Sequence, residues 1–309
     1  MSNDTRPILI AGPTASGKSA LALALAERFN GVVINADSMQ VYCELRILTA
    51  RPTAEDEARV PHLLYGHVPA SEAYSAGRFV QDVARALTAA RDSGLRPILV
   101  GGTGLYFKAV LEGLSPVPPV PEDVRTHWRH LEAQHGAYAL WTVLMHDDPE
   151  MALRLEPNDS QRIVRALEVF HATGKSLAEW QRTPGTPLLD PGDAVKLVLL
   201  PEREELRARA DARFSAMIEV GGLAEAEALA RLELDPASPA MRAIGVAPLM
   251  AAVAGKLLIQ DAIVQAQTET RQYLKRQVTW LRRNMITWNN VNTKSKESSV
   301  VSSIAFIQS

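Results

Sequence analysis

Residues 12–19 read Gly-Pro-Thr-Ala-Ser-Gly-Lys-Ser and match the phosphate-binding pattern G-x-x-x-x-G-K-[ST] at every fixed position. Glycines let backbone amides turn towards phosphate oxygens, and the start of the following helix adds partial positive charge. We expect Lys18 to neutralise phosphate charge and the Ser19 hydroxyl to ligate Mg²⁺. The alternative is a glycine-rich turn that binds nothing, and the pattern leaves open whether the ligand is a nucleotide or another diphosphate. This segment, called the phosphate loop below, comprises Gly12, Pro13, Thr14, Ala15, Ser16, Gly17, Lys18 and Ser19.

Two polar side chains, Asp37 and Thr103, follow short apolar runs that are typical of buried strands. These runs are residues 32–35 and 97–100. Open α/β sheets bind ligands beyond the carboxyl ends of their strands, so we expect both side chains to face the crevice of the phosphate loop. The alternatives are an aspartate that shapes a turn and a threonine that caps the next helix.

The elements around these residues alternate between strand and helix. Residues 8–11 and 195–200 are further strand candidates, and residues 20–29 and 75–92 are predicted to be helical. This order predicts an α/β fold of the P-loop NTPase-like type, with a parallel sheet flanked by helices. Four prolines between 115 and 123 mark a boundary, and a helical pattern without strand signal follows. We therefore predict a discontinuous core (1–115 and 194–290), an all-helical insertion domain (116–193) and a mobile tail too polar to pack (291–309).

Composition limits the classes of protein that remain. The 33 Lys and Arg nearly balance the 35 Asp and Glu, so a polyanion must be held by a local patch. Cys43 is the single cysteine, which excludes an internal disulfide and leaves no Cys/His cluster with zinc spacing. The start of the chain resembles no signal peptide, and no stretch has the apolar length of a membrane span. We expect a cytoplasmic monomer without membrane contact.

A candidate for the local patch is a predicted helix that covers residues 262–287. Apolar residues recur along it at helical spacing, and no acid interrupts residues 271–283. The five cations there predict a track for RNA phosphates, unless about half of them pair with carboxylates of the core. They are Arg271, Lys275, Arg276, Arg282 and Arg283.

Five sequence blocks in order resemble the family of tRNA dimethylallyltransferases, also called tRNA isopentenyltransferases. The similarity extends from about residue 8 to residue 288, and several blocks together are far more specific than any one of them. The blocks are the phosphate loop, NADSMQVY at 35–42, LVGGTGLY at 99–106, PNDSQRIVRALE at 157–168 and TRQYLKRQVTW at 270–280.

The resemblance implies that the phosphate loop holds the diphosphate of dimethylallyl diphosphate, with Mg²⁺ as cofactor. The acceptor is then the exocyclic N6 amine of the adenosine 3′ of the anticodon (position 37) in tRNAs that read codons beginning with U. Asp37 matches the family's general base, and Thr103 and Lys18 complete the implied catalytic set. Together with the basic helix, the expected tRNA contacts are Asp37, Ser38, Met39, Gln40, Thr103, Arg125, Gln161, Arg162, Ile163, Val164, Arg165, Arg242, Gly245, Arg271, Lys275 and Arg276.

Two segments depart from the family pattern. After Tyr42 the family usually has Gly-Met-Asp-Ile-Gly-Thr-Ala-Lys, whereas this chain has Cys-Glu-Leu-Arg-Ile-Leu-Thr-Ala-Arg at 43–51. Loss of both glycines removes positions that tolerate positive φ, so we expect a different loop path. Val246 and Ala247 stand where the family has an aromatic and a basic residue, so we expect one RNA contact to be missing.

Three other functions fit parts of the sequence. A prenyltransferase acting on AMP or ADP would keep the fold, but it would need neither the helical insertion nor the basic helix. A small-molecule kinase would use ATP at the same loop and would not require an allylic diphosphate. A nucleotide-dependent switch or RNA-binding module is disfavoured, because the sequence has no N-K-x-D segment and a binding module does not need an aspartate beside a phosphate loop.

Overall fold

The computed structural model describes residues 5–308, which divide into two units. The first unit contains the described residues up to Leu111 and those from Leu188 onward, and the second is Glu112–Pro187. The sequence placed these boundaries at 115/116 and 193/194. No helix among residues 5–308 has both the length and the apolar character needed to cross a bilayer.

The first unit contains a six-stranded sheet in which every pair of neighbouring strands is parallel, as predicted. The spatial order is β3-β2-β4-β1-β5-β6, so β1 lies between β4 and β5. The two edge strands have two residues each and were not predicted, because so short a segment carries no periodic signal. The strands are β1 (Ile8–Ala11), β2 (Gly31–Asn35), β3 (His62–Leu63), β4 (Arg96–Gly101), β5 (Val195–Val198) and β6 (Asn289–Asn290).

Thirteen α-helices lie among the described residues, and four of them fall wholly in the second unit. The predicted helix 262–287 begins earlier, at Ile259, and ends at Asn284. The helices are α1 (Lys18–Arg28), α2 (Ala54–Arg59), α3 (Ala76–Asp92), α4 (Gly104–Glu112), α5 (Glu122–Asp147), α6 (Pro149–Ala152), α7 (Ser160–Thr173), α8 (Leu177–Trp180), α9 (Arg203–Glu219), α10 (Gly222–Ala230), α11 (Val246–Val253), α12 (Ile259–Asn284) and α13 (Lys296–Gln308).

Successive side chains of the sheet enter two cores on opposite faces. Leu9 packs in a core that includes side chains of α3, α4 and α12, whereas Ile8 and Ile10 pack with side chains of α1 and α13. Residues alternate between faces along a strand, so a short, fully apolar strand fills both cores. The sheet is therefore buried on both sides, which holds its carboxyl ends in fixed positions.

The predicted mobile tail is wrong in one respect, because residues 296–308 form α13. Ile307 is buried in the core that includes β1 and α1, and Ser303 is fully buried beside it. The polar composition misled the prediction because four apolar residues of α13 are enough to pack it against the sheet, and these are Val300, Ile304, Phe306 and Ile307. A serine is buried at little cost when its hydroxyl bonds the preceding turn, as Ser303 Oγ does to Ser299 O at 2.8 Å.

The second unit is helical, with a core between α5 and α7. Trp128 and Leu144 of α5 pack with Ile163 and Leu167 of α7. Helix α5 is interrupted at Gly136, whose φ of 76° lies in the left-handed region. The unit thus buries its own apolar face, as the predicted all-helical insertion requires.

Loop 43–51, which lacks the family's two glycines, is held by one carboxylate of α10. Glu225 accepts the backbone N–H groups of Arg46, Ile47 and Leu48 at 2.8, 2.7 and 2.8 Å. Ala50 is the one residue of this loop that has a positive φ. A charged acceptor that satisfies three amides fixes the shape of the loop without glycine.

We expect Glu225→Ala to lower the free energy of unfolding by about 2 to 4 kcal/mol, because three partly buried amides lose a charged acceptor. Urea denaturation measures the change. The control is Glu227→Ala on the same helix, whose carboxylate pairs with the exposed Arg231 and which we expect to change stability by at most about 0.5 kcal/mol. Equal effects of the two substitutions would show that Glu225 does not hold the loop.

Candidate active site

The phosphate loop connects β1 to α1 and has the conformation its glycines allow. Gly17 precedes α1 with φ 89°. A Cβ on Gly12 would lie 2.6 Å from Ser16 Oγ, so only glycine fits there. Ser16 is 3 % exposed and its hydroxyl has no hydrogen-bond partner among the described residues. An orphaned buried donor at a helix N-terminus suits an anionic ligand.

An open cavity of about 260 Å³ lies at this loop. Its walls are residues 15–20 together with two arginines of α9, Arg209 and Arg213. Arg213 donates to the hydroxyl of Thr14, which ties α9 to the loop. The cavity therefore offers backbone amides at the start of α1, hydroxyl groups, Lys18 and two guanidinium groups, which is a donor set for a diphosphate. The sequence had given no signal for Arg213, since one arginine among several on a helix looks like a solvated face.

Lys18 is 9 % exposed, and its Nζ donates to Pro13 O at 3.2 Å. Burial lowers the pKa of this amine to about 8, while the charge of Asp37 raises it and that of Arg213 lowers it further. The amine is therefore mostly cationic at pH 7 but becomes neutral within a range accessible to experiment. A bound diphosphate would favour the charged form.

We expect the affinity for inorganic pyrophosphate to fall as pH rises from 7 to 9.5. The free amine has a pKa of about 8 and the complex needs the ammonium, so binding above that pH must take up a proton. The apparent Kd should then rise by up to about tenfold per pH unit above the pKa. Titration calorimetry in two buffers of different ionisation enthalpy measures both Kd and proton uptake. An affinity that stays constant across this range would contradict the assignment of Lys18.

Asp37 lies two residues beyond β2 in a turn built by Asn35. The Asn35 side chain accepts the Asp37 N–H at 2.8 Å and donates to Asp37 O at 2.9 Å. Asp37 Oδ1 accepts the N–H of Met39 at 3.0 Å. Oδ2 lies on the side of Gly102, 3.4 Å from where a Cβ on that residue would be. The aspartate thus shapes its own turn with one oxygen, as the alternative suggested, and the second oxygen faces the end of β4.

Thr103 lies beside this turn, because β4 is the neighbour of β2 in the sheet. Its Oγ1 accepts the Ser38 N–H at 3.0 Å and donates to Ser38 Oγ at 3.3 Å. Among the described residues this hydroxyl has no hydrogen bond to an amide of α4, so capping of that helix is not its role. The structure places Asp37, Ser38 and Thr103 together beyond the carboxyl ends of β2 and β4, the position that the sequence analysis expected for Asp37 and Thr103.

Three tyrosines lie close enough to Asp37 for its charge to act on them. Burial, and then the charge of Asp37, raises the pKa of Tyr65, Tyr106 and Tyr273 well above its usual range. All three phenols therefore remain protonated at physiological pH. Tyr106 stacks on Phe79 with ring centroids 3.8 Å apart.

The residues of the first unit that were expected to contact RNA differ in exposure and in the bonds they already make within the fold. The Gln40 side-chain amide donates to Thr49 O and Ala50 O, at 2.8 and 3.0 Å, and so holds loop 43–51. Arg242 is exposed at the end of a 3-10 helix, Pro239–Arg242. Gly245 is buried with φ 89°, and a Cβ there would lie 2.7 Å from the Phe214 ring. Packing explains that glycine without any RNA.

The cations of α12 are mostly exposed, as a phosphate track requires. Lys275, Arg276, Arg282 and Arg283 point to solvent and form no salt bridge with any carboxylate of residues 5–308. Arg276 lies over the Tyr273 ring at 5.6 Å. Arg271 differs, since it pairs with Asp211 at 2.9 Å. One cation of these five, not half of them, therefore pairs with a carboxylate among residues 5–308.

The expected contacts of the second unit also divide by burial. Gln161 and Arg162 are exposed at the start of α7, and Arg162 pairs with Asp159. Arg165 pairs with Glu168 at 3.4 Å and Arg125 with Glu122 at 3.6 Å. The prediction for Ile163 is wrong for its side chain, which is fully buried in the core of this unit, while Val164 packs beside that core. Spacing along the motif had hidden which positions face inward.

Comparisons with known proteins identify the chain's relatives. A family model described as "IPP transferase" matches residues 40–284, and one described as "Isopentenyl transferase" matches residues 6–63. The tRNA dimethylallyltransferase of Azorhizobium caulinodans is 53 % identical over 281 residues, covering 91 % of this chain and 90 % of that protein. The tRNA dimethylallyltransferase of Parvibaculum lavamentivorans is 49 % identical over 302 residues, covering 98 % and 96 %.

Two solved structures are similar in fold. The tRNA isopentenylpyrophosphate transferase of Bacillus halodurans superposes with a TM-score of 0.69 at 31 % identity, covering 98 % of this chain and 97 % of that chain. A eukaryotic dimethylallyltransferase described as acting on tRNA superposes with a TM-score of 0.79 at 30 % identity, covering 94 % of this chain and 74 % of that one.

Proposed function

The chain belongs to the IPP transferase family, and on that premise we propose that it transfers a dimethylallyl group from dimethylallyl diphosphate to tRNA. The observation that carries the proposal is the meeting of two groups at one end of the sheet. The phosphate loop has a donor set for a diphosphate, and Asp37 carries a charge that acts on Lys18. A diphosphate leaving group and a proton acceptor are what an alkyl transfer to an amine needs.

The proposed reaction exchanges the C1–O bond for a C1–N6 bond and moves one proton from N6 to Asp37. The N6 amine of an adenosine attacks C1 of the dimethylallyl group, the C1–O bond breaks, and pyrophosphate leaves. The N6 proton passes to Asp37, late in the reaction, because an exocyclic amine is a poor acid until the new bond carries positive charge. Lys18 and Arg213 stabilise the charge that develops on the leaving pyrophosphate. The Thr103 hydroxyl accepts the Ser38 N–H and so holds the turn that carries Asp37.

A divalent cation, with Mg²⁺ as our specific proposal, fits the oxygen donors of this loop. Ser19 is exposed at the start of α1, and its hydroxyl would be the protein ligand. Mg²⁺ typically keeps waters and takes one or two protein oxygens together with substrate phosphates. No group of three or more His, Cys, Asp or Glu among the described residues could hold a metal without such help. The ion would neutralise part of the charge on the pyrophosphate.

We further propose that the acceptor is the adenosine 3′ of the anticodon, position 37, in tRNAs that read codons beginning with U. The exposed cations of α12 and the exposed start of α7 support an RNA substrate. A nucleobase can reach the partly buried carboxylate of Asp37 only if it leaves its stack, as single-stranded RNA loops permit. Loop adenosines suit this requirement better than paired ones.

The direct test is incubation of the protein with bulk tRNA and labelled dimethylallyl diphosphate, followed by nucleoside digestion and mass spectrometry. We expect one five-carbon unit on adenosine. A tRNA with position 37 changed to guanosine is the control and should gain none. Label on AMP in place of tRNA would favour the free-nucleotide prenyltransferase. Turnover of ATP without an allylic diphosphate would favour a kinase.

Replacing Lys275 and Arg276 together by Ala should weaken tRNA binding and flatten its salt dependence. Each lost phosphate contact on single-stranded RNA removes about 0.7 from the slope of log K against log salt, so the double variant should lose about 1.4. Fluorescence anisotropy at several salt concentrations measures the slope. The control pair is Arg91→Ala with Lys256→Ala, both exposed and both outside the segment 271–283. An unchanged slope would remove these two residues from the interface.

A further inference from the structure

One face of α12 lies against the phosphate loop and the end of β4. Tyr273, Gln277 and Trp280 are spaced by four and three residues, so they share this face. A Cβ on Gly104 would lie 2.1 Å from the Trp280 ring, which shows how closely the helix approaches the residues after β4. Gln277 is 6 % exposed. It is a buried polar side chain in a helix whose neighbouring buried positions, Leu274 and Leu281, are apolar.

Both ends of the Gln277 carboxamide are used, and they bind different segments. Its Oε1 accepts the backbone N–H of Thr14 in the phosphate loop at 2.9 Å. Its Nε2 donates to the carbonyl of Gly102, at the end of β4, at 3.1 Å. One side chain thus bridges the loop after β1 and the turn after β4. An apolar residue of the same size could make neither bond.

The segments that carry the site converge on Gly102. A Cβ there would lie 2.4 Å from Gln277 Nε2, 3.4 Å from Asp37 Oδ2 and 3.4 Å from Gly12 O. The next residue is Thr103, whose N–H donates to Ala36 O at 3.4 Å. The bridge made by Gln277 therefore ends within one residue of Thr103 and beside the carboxylate of Asp37.

We propose that Gln277 is a positioning residue that fixes the phosphate loop against the end of β4, so that a diphosphate held by the loop lies in register with Asp37 and Thr103. Gln277 acts through the Thr14 amide and the Gly102 carbonyl, because its own polar atoms are occupied by them. The inference deepens the proposed function and rests on it. Loss of the bridge should therefore affect the diphosphate and the chemical step, and should spare tRNA affinity.

The test compares wild type with Gln277→Met, which keeps the length of the side chain and removes both hydrogen bonds. Calorimetry with inorganic pyrophosphate should show binding weakened by about tenfold, and steady-state transfer should show kcat/KM for dimethylallyl diphosphate lowered by about 10- to 100-fold. Affinity for tRNA should be unchanged. The matched control is Gln260→Met, the same change at an exposed position of α12, which should match wild type throughout.

Gln277→Glu is a second variant, to be measured in case Gln277→Met does not fold. It keeps the acceptor for the Thr14 N–H and loses the donor to Gly102. We expect it to bind pyrophosphate more weakly than wild type as well. A purely structural role of Gln277 predicts that both variants have a lower melting temperature and nothing else. At a temperature where they are folded, they would then have the wild-type pyrophosphate affinity and the wild-type kcat/KM. These values would overturn the proposal. Failure of the wild-type protein itself to prenylate tRNA, while pyrophosphate binding still depends on Gln277, would overturn the proposed function and leave the bridge in place.

Discussion

Asp37→Asn is expected to reduce single-turnover transfer to tRNA by about 10² to 10⁴-fold, the range that general-base catalysis contributes. Asparagine has the same shape, and its side-chain oxygen can still accept the Met39 N–H that Asp37 Oδ1 accepts at 3.0 Å. The substitution therefore removes the negative charge and the proton acceptor while the turn persists. Affinity for tRNA in a gel-shift assay should remain that of wild type.

The matched control is Asp92→Asn, at an exposed position at the end of α3. It makes the same chemical change far from the turn and should leave the rate intact. Lys18 provides a second measurement of the same substitution, because the charge of Asp37 raises the pKa of this amine. The Asn variant should shift the pH dependence of pyrophosphate binding to lower pH. Transfer at the wild-type rate by Asp37→Asn would remove the aspartate from the mechanism.

Lys18→Met is expected to reduce kcat/KM for dimethylallyl diphosphate by about 10² to 10³-fold, because a buried cation is lost from beside the leaving group. Methionine keeps most of the aliphatic chain, so the packing around the loop changes little. The effect should fall on both KM and kcat, since the diphosphate gains charge as the C1–O bond breaks. Steady-state kinetics at saturating tRNA measures the two constants separately.

Lys256→Met at an exposed position is the matched control for Lys18→Met. Affinity for tRNA should be equal in wild type and both variants. The fall in pyrophosphate affinity above the pKa of Lys18, about 8, should also be absent from the Lys18 variant, since the titrating amine is gone. If Lys18→Met kept both the wild-type KM and the pH dependence, the diphosphate would have to bind elsewhere.

Local sequence signals were sufficient wherever a function depends on consecutive residues. The phosphate loop was recognised as a candidate because its glycines, Lys18 and Ser19 lie within eight positions, and its binding of a diphosphate stays a prediction. The structure then shows Gly17 with the positive φ that the pattern requires. The C-terminal helix α13 and the short edge strands β3 and β6 were not predicted. The last helix was missed because composition outweighed the few apolar residues, such as Ile307, that pack it against the sheet.

Signals were weak or missing where a function depends on residues far apart in the chain. Gln277 bonds Thr14 across 263 residues, and Arg213 reaches the same residue across 199. A glutamine within an apolar stripe was a usable hint, because burial of a polar side chain needs a partner. For Arg213 no comparable hint existed. In the second unit, the motif that contains Ile163 did not show that this side chain is buried, because only packing reveals which face of a helix is buried.

The sequence by itself determined the position of the glycine-rich loop at 12–19, the alternating order of strands and helices, and the basic character of α12, since each depends on neighbouring residues or a short period. The tertiary structure decided which strands lie side by side, and so brought the turn of Asp37 next to Thr103 through the pairing of β2 with β4. It also decided which side chains of α9 and α12 reach the loop. Strand order and helix orientation follow from the packing of the whole core, and this packing cannot be read from any single segment.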